Sequence, residues 1–148
     1  MLPASAGLDG HCPGSEDLTV AAIVNWFGVT DVVDVIEGAN KQAYAVRWFD
    51  GVPDATKLAR ELSPLQYVRA GLPAVLTIHG DADTVAPYTQ AVRLDKALDN
   101  ARVPNHLLTI PGGGHGGFTR DQTIGSYRTI REFLTKHGVL RASRSGRL

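Results

Sequence analysis

Pro73-Ala74-Val75-Leu76-Thr77-Ile78-His79-Gly80-Asp81-Ala82-Asp83-Thr84-Val85-Ala86-Pro87 decides the fold. A short apolar run with β-branched residues, entered through Gly71 and left through Gly80, reads as a strand buried in a parallel sheet. The acidic, turn-forming loop that follows places carboxylates where a sheet edge displays reactive groups. The same grammar recurs downstream, where Asn105 to Ile110 reads as a strand that ends at Pro111-Gly112-Gly113-Gly114-His115-Gly116-Gly117. Between the two, Tyr88 to Asp99 puts Ala91, Leu94, Ala97 and Leu98 on one helical face. Strand, helix and strand with this spacing make two neighbouring parallel strands joined by a right-handed crossover.

Upstream, Thr19 to Asn25 is an almost continuously apolar run and is expected to be a strand covered on both faces. Trp26-Phe27-Gly28 is expected to leave the sheet. Weak helical patterns run from Asp31 to Glu37 and from Asn40 to Trp48, with Gly38 between them, and a third runs from a cap at Asp54 towards Glu61. Ser63-Pro64-Leu65 carries a capping serine and a proline at the first helical position. A last helix, Asp121 to Lys136, is expected to bury Ile124, Tyr127, Ile130, Phe133 and Leu134 and to stop at Gly138. Strands alternating with helices predict an α/β protein of three layers, α/β/α, around a parallel sheet. The expected organisation is a loop over residues 1–18, one domain over 19–138 and a flexible basic tail over 139–148 containing Arg141, Arg144 and Arg147.

Composition narrows the function classes. With 148 residues, 43% of them hydrophobic, the chain holds one core. Fifteen basic and fifteen acidic residues cancel, so the balance points neither to nucleic acid nor to an anionic membrane. Cys12 is the single cysteine, which excludes an intrachain disulfide and allows a reducing compartment. No signal-peptide pattern and no membrane-length apolar segment is visible, so a cytoplasmic protein is expected, with the reservation that the native N-terminus can lie upstream.

The chemistry-bearing residues are Asp83 and His115. Both follow strands into loops beyond the carboxyl edge of an open parallel sheet, where such sheets place their functional groups. A carboxylate beside an imidazole holds one tautomer and stabilises the imidazolium formed when the ring takes a proton. Asp81 competes for the acid role, its other use being a hydrogen bond to its own turn. His79 at the strand end reads as a hydrogen-bonded structural histidine. A metal held by His79, Asp81, Asp83 and His115 is the other chemistry open to this set, but no His-Glu-x-x-His or paired-histidine spacing is present, and no metal or cofactor is expected. Tyr44, Trp48 and Phe49 either line a pocket or pack, and packing is the expectation.

Taken together, Ala22 to Asp31, Ser63-Pro64, His79-Gly80-Asp81-Ala82-Asp83 with Val85 and Pro87, and Gly114-His115-Gly116 resemble the C-terminal half of an α/β-hydrolase, in the esterase and prolyl-oligopeptidase-like branch. The resemblance runs from about residue 19 to 137. It implies a partial hydrolase fold, the last three strands and their helices, acting on a small-molecule carboxylic ester. It assigns Asp83 as triad acid and His115 as base; Ala86 between Val85 and Pro87 departs slightly from the family pattern. The Gly-x-Ser-x-Gly elbow and the oxyanion-hole donors of that family are not in this sequence. Ala4-Ser5-Ala6-Gly7 imitates part of the elbow, but too few residues precede Ser5 to form its strand; Ser15 lies in loop and Ser63 reads as a cap. The nucleophile is therefore expected from sequence outside this chain, with Ser5 as the candidate within it. A half fold would leave the 19–25 strand as an unpaired apolar edge, predicting a homo-oligomer or pairing with an N-terminal half. The alternative function is a non-catalytic remnant that oligomerises or binds a small molecule.

Overall fold

A computed structural model describes residues 19–141. Three parallel strands form one sheet in the order β1 (Ala22–Trp26), β2 (Ala74–Gly80) and β3 (Asn105–Ile110). β2 is central and buried throughout. Its register sets Ala22 beside Ala74 on one side and Val75 beside Asn105 on the other. The pleat sends alternate side chains to opposite faces. On one face Ala74, Leu76, Ile78 and Ile110 pack with Phe133 of α5 (Arg120–Lys136). On the other, Val75 packs with Leu94 and Leu98 of α4 (Thr89–Asn100). The expected α/β/α layering around a parallel sheet is present, built from three strands.

The β1-to-β2 connection is mostly helical: α1 (Val32–Ile36), α2 (Ala43–Trp48), α3 (Ala55–Glu61) and a 3-10 turn, Pro64–Tyr67. Val32, Val35, Ile36, Ala45 and Ala59 form a core of their own here. Buried polar contacts fasten it to α4. The Gln90 side chain accepts from the backbone N–H groups of Thr30 and Asp31 and donates to Asp34, while Arg93 pairs with Asp31 and Asp34. A buried amide with its donor and acceptor groups satisfied fixes α1 against α4 more specifically than apolar contact alone.

Several expectations need correction. β1 begins at Ala22 rather than Thr19 and includes Trp26, because β2 begins at Ala74 and supplies the ladder only from there. It is half-buried rather than covered on both faces, since it pairs only with β2 among the described residues and lies at the sheet edge. Asp54 precedes α3 with a left-handed φ of 53° and makes no capping bond. Ser63 is buried and does not cap; its hydroxyl donates to Ala59 O and accepts from Val32 N, tying α3 to α1. In α5, Phe133 is buried, whereas Ile124 and Tyr127 are 46% and 60% exposed. Periodicity places them on one stripe, but the cover over its N-terminal part is partial: Tyr127 meets Trp26 of β1, with ring centroids 5.8 Å apart, and still faces solvent. Ala97 is half-buried beside the buried Ala91, Leu94 and Leu98. The start of α5 carries a capping box between Thr119 and Gln122.

Candidate active site

Asp83 is held by the loop that leaves β2. Its Oδ1 accepts hydrogen bonds from the backbone N–H groups of Val85 and Ala86, at 2.8 and 2.9 Å. Its Oδ2 lies 2.9 Å from His115 Nδ1. The Asp83 side chain is wholly buried and that of His115 is 36% exposed. An ionised carboxylate only accepts, so Nδ1 of His115 carries the proton and donates. That tautomer leaves the Nε2 lone pair free to take a proton from a neighbouring group.

The His115 loop is joined to the Asp83 loop by its backbone. Asp81 accepts from Gly112 N at 2.6 Å, and Ala82 N donates to Gly113 O at 3.0 Å. Asp81 thus bridges to the neighbouring loop rather than bonding its own turn. Gly116, with φ of 77°, turns the chain immediately after His115 in a conformation that a side chain would disfavour. Phe27 packs its ring on the His115 imidazole, with centroids 4.7 Å apart in an edge-to-face arrangement. Phe27 itself has φ of 36°, a strained value for a residue with a side chain, at the point where β1 ends.

Two further residues support the acid loop. His79, fully buried on β2, places Nε2 2.8 Å from Ala86 O and 3.2 Å from Asp83 Oδ2. Tyr44 of α2 donates its hydroxyl to Val85 O at 2.7 Å. Burial first, and then the Asp83 charge, push the Tyr44 phenol above its ordinary value, which keeps it a donor. Tyr44 and Phe49 pack on the helical core as expected, while Trp48 is 59% exposed and stacks edge-on against Tyr44. The support from Tyr44 was missed because a carbonyl acceptor in a distant loop leaves no pattern in sequence.

The structure therefore brings Asp83, His115 and His79 together and sends Asp81 elsewhere. No group of three or more His, Cys, Asp or Glu arranged for a metal ion occurs among the described residues. Ser5, Ser15 and Cys12 lie outside the described residues.

A family model described as BD-FAE matches residues 3–98. The chain belongs to the BD-FAE family. This family is α/β-hydrolase-like, in agreement with the fold and with the resemblance read from the sequence. Among solved structures, the chain is similar to a thermophilic esterase of the Planctomycetes species Thermogutta terrifontis, with a TM-score of 0.66 and 25% identity over 86% of this chain and 46% of that one. It is similar to a puromycin-hydrolyzing peptidase of Mycobacterium tuberculosis, with a TM-score of 0.70 and 25% identity over 78% of this chain and 18% of that one. A truncated form of a carbohydrate esterase from gut microbiota gives a TM-score of 0.58 and 30% identity over 82% of this chain and 44% of that one. The chain spans less than half the length of each of these three. No curated protein matches it. No described helix is long and apolar enough to cross a membrane.

Proposed function

We propose that this BD-FAE chain carries the acid and base of a serine-type carboxylic ester hydrolase, with Asp83 orienting His115 and His115 acting as general base and then general acid. The observation that carries the reading is the contact of a fully buried, doubly backbone-bonded Asp83 carboxylate with Nδ1 of an exposed His115. That arrangement leaves Nε2 basic and accessible, which is what proton abstraction from an attacking hydroxyl requires. Esterases among the similar structures favour an ester over other acyl substrates. The nucleophile and oxyanion donors come from sequence outside this chain, with Ser5 as the candidate within it.

In the absence of a nucleophile, His115 still activates water against an esterified phenol with a good leaving group, so the isolated chain should hydrolyse such esters slowly. General-base assistance of this kind contributes roughly 10²- to 10⁴-fold. The test is saturable hydrolysis of a short-chain p-nitrophenyl ester by the chain, His115→Ala and Ser5→Ala, with circular dichroism confirming that all three fold. Loss in His115→Ala and retention in Ser5→Ala are expected. Loss in both makes Ser5 the nucleophile, and equal rates in all three overturn the reading.

A second reading, a non-catalytic module that associates with its own copies or an N-terminal half, is favoured by the one-sided pairing of β1 and the exposed Ile124 and Tyr127. In that case His115→Ala leaves all measured behaviour unchanged.

A further inference from the structure

The Asp83 carboxylate has two imidazoles against a single oxygen. His115 Nδ1 lies 2.9 Å from Oδ2, and His79 Nε2 lies 3.2 Å from the same atom. An ordinary acid–base pair has no use for the second ring, and burying a histidine for packing alone is costly, since one of its nitrogens is then stranded. That is the case here: His79 Nδ1 is buried with no hydrogen-bond partner. Its tautomer follows. Nε2 faces a backbone carbonyl and a carboxylate, both acceptors, so Nε2 carries the hydrogen and Nδ1 is the bare nitrogen.

The contacts close a ring. His79 Nε2–H donates to Ala86 O, and Ala86 N–H donates to Asp83 Oδ1 at 2.9 Å. The residue that His79 holds by its carbonyl is thus the residue that holds Asp83 by its amide. The His79 Nε2–H dipole also lies 3.2 Å from Oδ2, its positive end opposing any swing of the carboxylate away from His115. β2 is the central, fully buried strand, so the ring anchors a loop carboxylate to the middle of the sheet.

We propose that His79 is a positioning residue for the Asp83–His115 pair, acting through its Nε2–H on Ala86 O and Asp83 Oδ2. This rests on the reading of that pair as acid and base. The donor must stand at the Nε2 position, and this separates positioning from space-filling. The terminal amide nitrogen of glutamine reaches where Nε2 stands, whereas that of asparagine reaches only the Nδ1 position. His79→Gln should therefore keep what His79→Asn loses, although both are uncharged and polar.

The test reads the ring nitrogens of His115 by 15N NMR in the whole chain, beside hydrolysis of a p-nitrophenyl ester. A histidine in water favours the Nε2–H form, so the Nδ1–H form of neutral His115 reports its bond to Asp83. Expected results are the Nδ1–H form in the parent and His79→Gln, its loss in His79→Asn, and a kcat lower by roughly 10- to 100-fold in His79→Asn with little change in KM, the scale of a small misplacement of a catalytic group. Equal His115 tautomers in the two variants overturn the proposal. Should His79→Asn fail to fold, the parent's own His79 decides: an Nε2–H ring supports the proposal and an Nδ1–H ring overturns it. Loss of the tautomer without any parental hydrolysis leaves the positioning role standing and overturns the slow ester hydrolysis expected of the isolated chain. Hydrolysis with unchanged tautomers does the reverse.

Discussion

The carbonyl oxygen of Gly113 lies 2.0 Å from where a Cβ on Gly80 would stand. The end of β2 and the loop carrying His115 are in direct backbone contact, and the separation of Asp83 from His115 depends on that approach. Gly80→Ala must push the two loops apart. Overpacking of this kind costs roughly 1–3 kcal/mol, and because backbone atoms rather than a flexible side chain stand in the way, the upper part of that range is expected. Chemical denaturation measures it, and a loss well below 1 kcal/mol would mean that the loops move apart freely.

Tyr44 gives a pH-dependent prediction. Its phenol is raised by burial and by the Asp83 charge, so the folded state holds this proton more tightly than the unfolded chain does. The resulting stabilisation is complete below the unfolded value near 10 and disappears as pH rises through the higher folded value. Tyr44→Phe should cost about 1 kcal/mol at neutral pH, the usual worth of one hydrogen bond. It should also flatten the alkaline fall in stability, which unfolding curves at pH 7 and above pH 10 will show. An unchanged alkaline limb contradicts the role assigned to Tyr44.

Association is the third expectation. β1 pairs on one side only among the described residues, and Ile124 and Tyr127 are exposed on α5, with Tyr127 against Trp26 at the end of β1. The chain should run larger than a monomer in light scattering. Replacing Ile124 and Tyr127 together by lysine should weaken association roughly tenfold or more, as loss of apolar anchors does. A cleanly monomeric, folded parent contradicts this.

Much of the fold was legible because β2 is a mostly apolar run closed by Gly80 and β3 a short run with Leu107, Leu108 and Ile110 closed by Pro111, and because Asp83 and His115 sit just beyond those ends. What escaped had a common origin. Periodicity groups Ile124 and Tyr127 with Phe133 but says nothing about whether a neighbour covers them, so two of the three are exposed. Ser63 and Asp54 carry capping residue types, yet a tertiary bond from Val32 N and a local bond back to Ala59 O claim the first and a left-handed backbone the second. His79 was recognisable as a hydrogen-bonded histidine; its partner, Ala86 O, is a backbone atom with no sequence signature. The strain at Phe27 belongs to the same class, since a positive φ outside glycine has no residue-type marker.

The central claim is that Asp83 makes His115 a base. Asp83→Asn tests it most directly, because the amide oxygen can still accept from Val85 and Ala86 while the amide nitrogen replaces the atom facing Nδ1 of His115. His115 must then accept at Nδ1 and carry its hydrogen on Nε2, where it can no longer take a proton. Steady-state hydrolysis of a short-chain p-nitrophenyl ester by the folded variant should fall by roughly 10²-fold or more, the contribution of a general base. Hydrolysis at the parental rate would contradict the account.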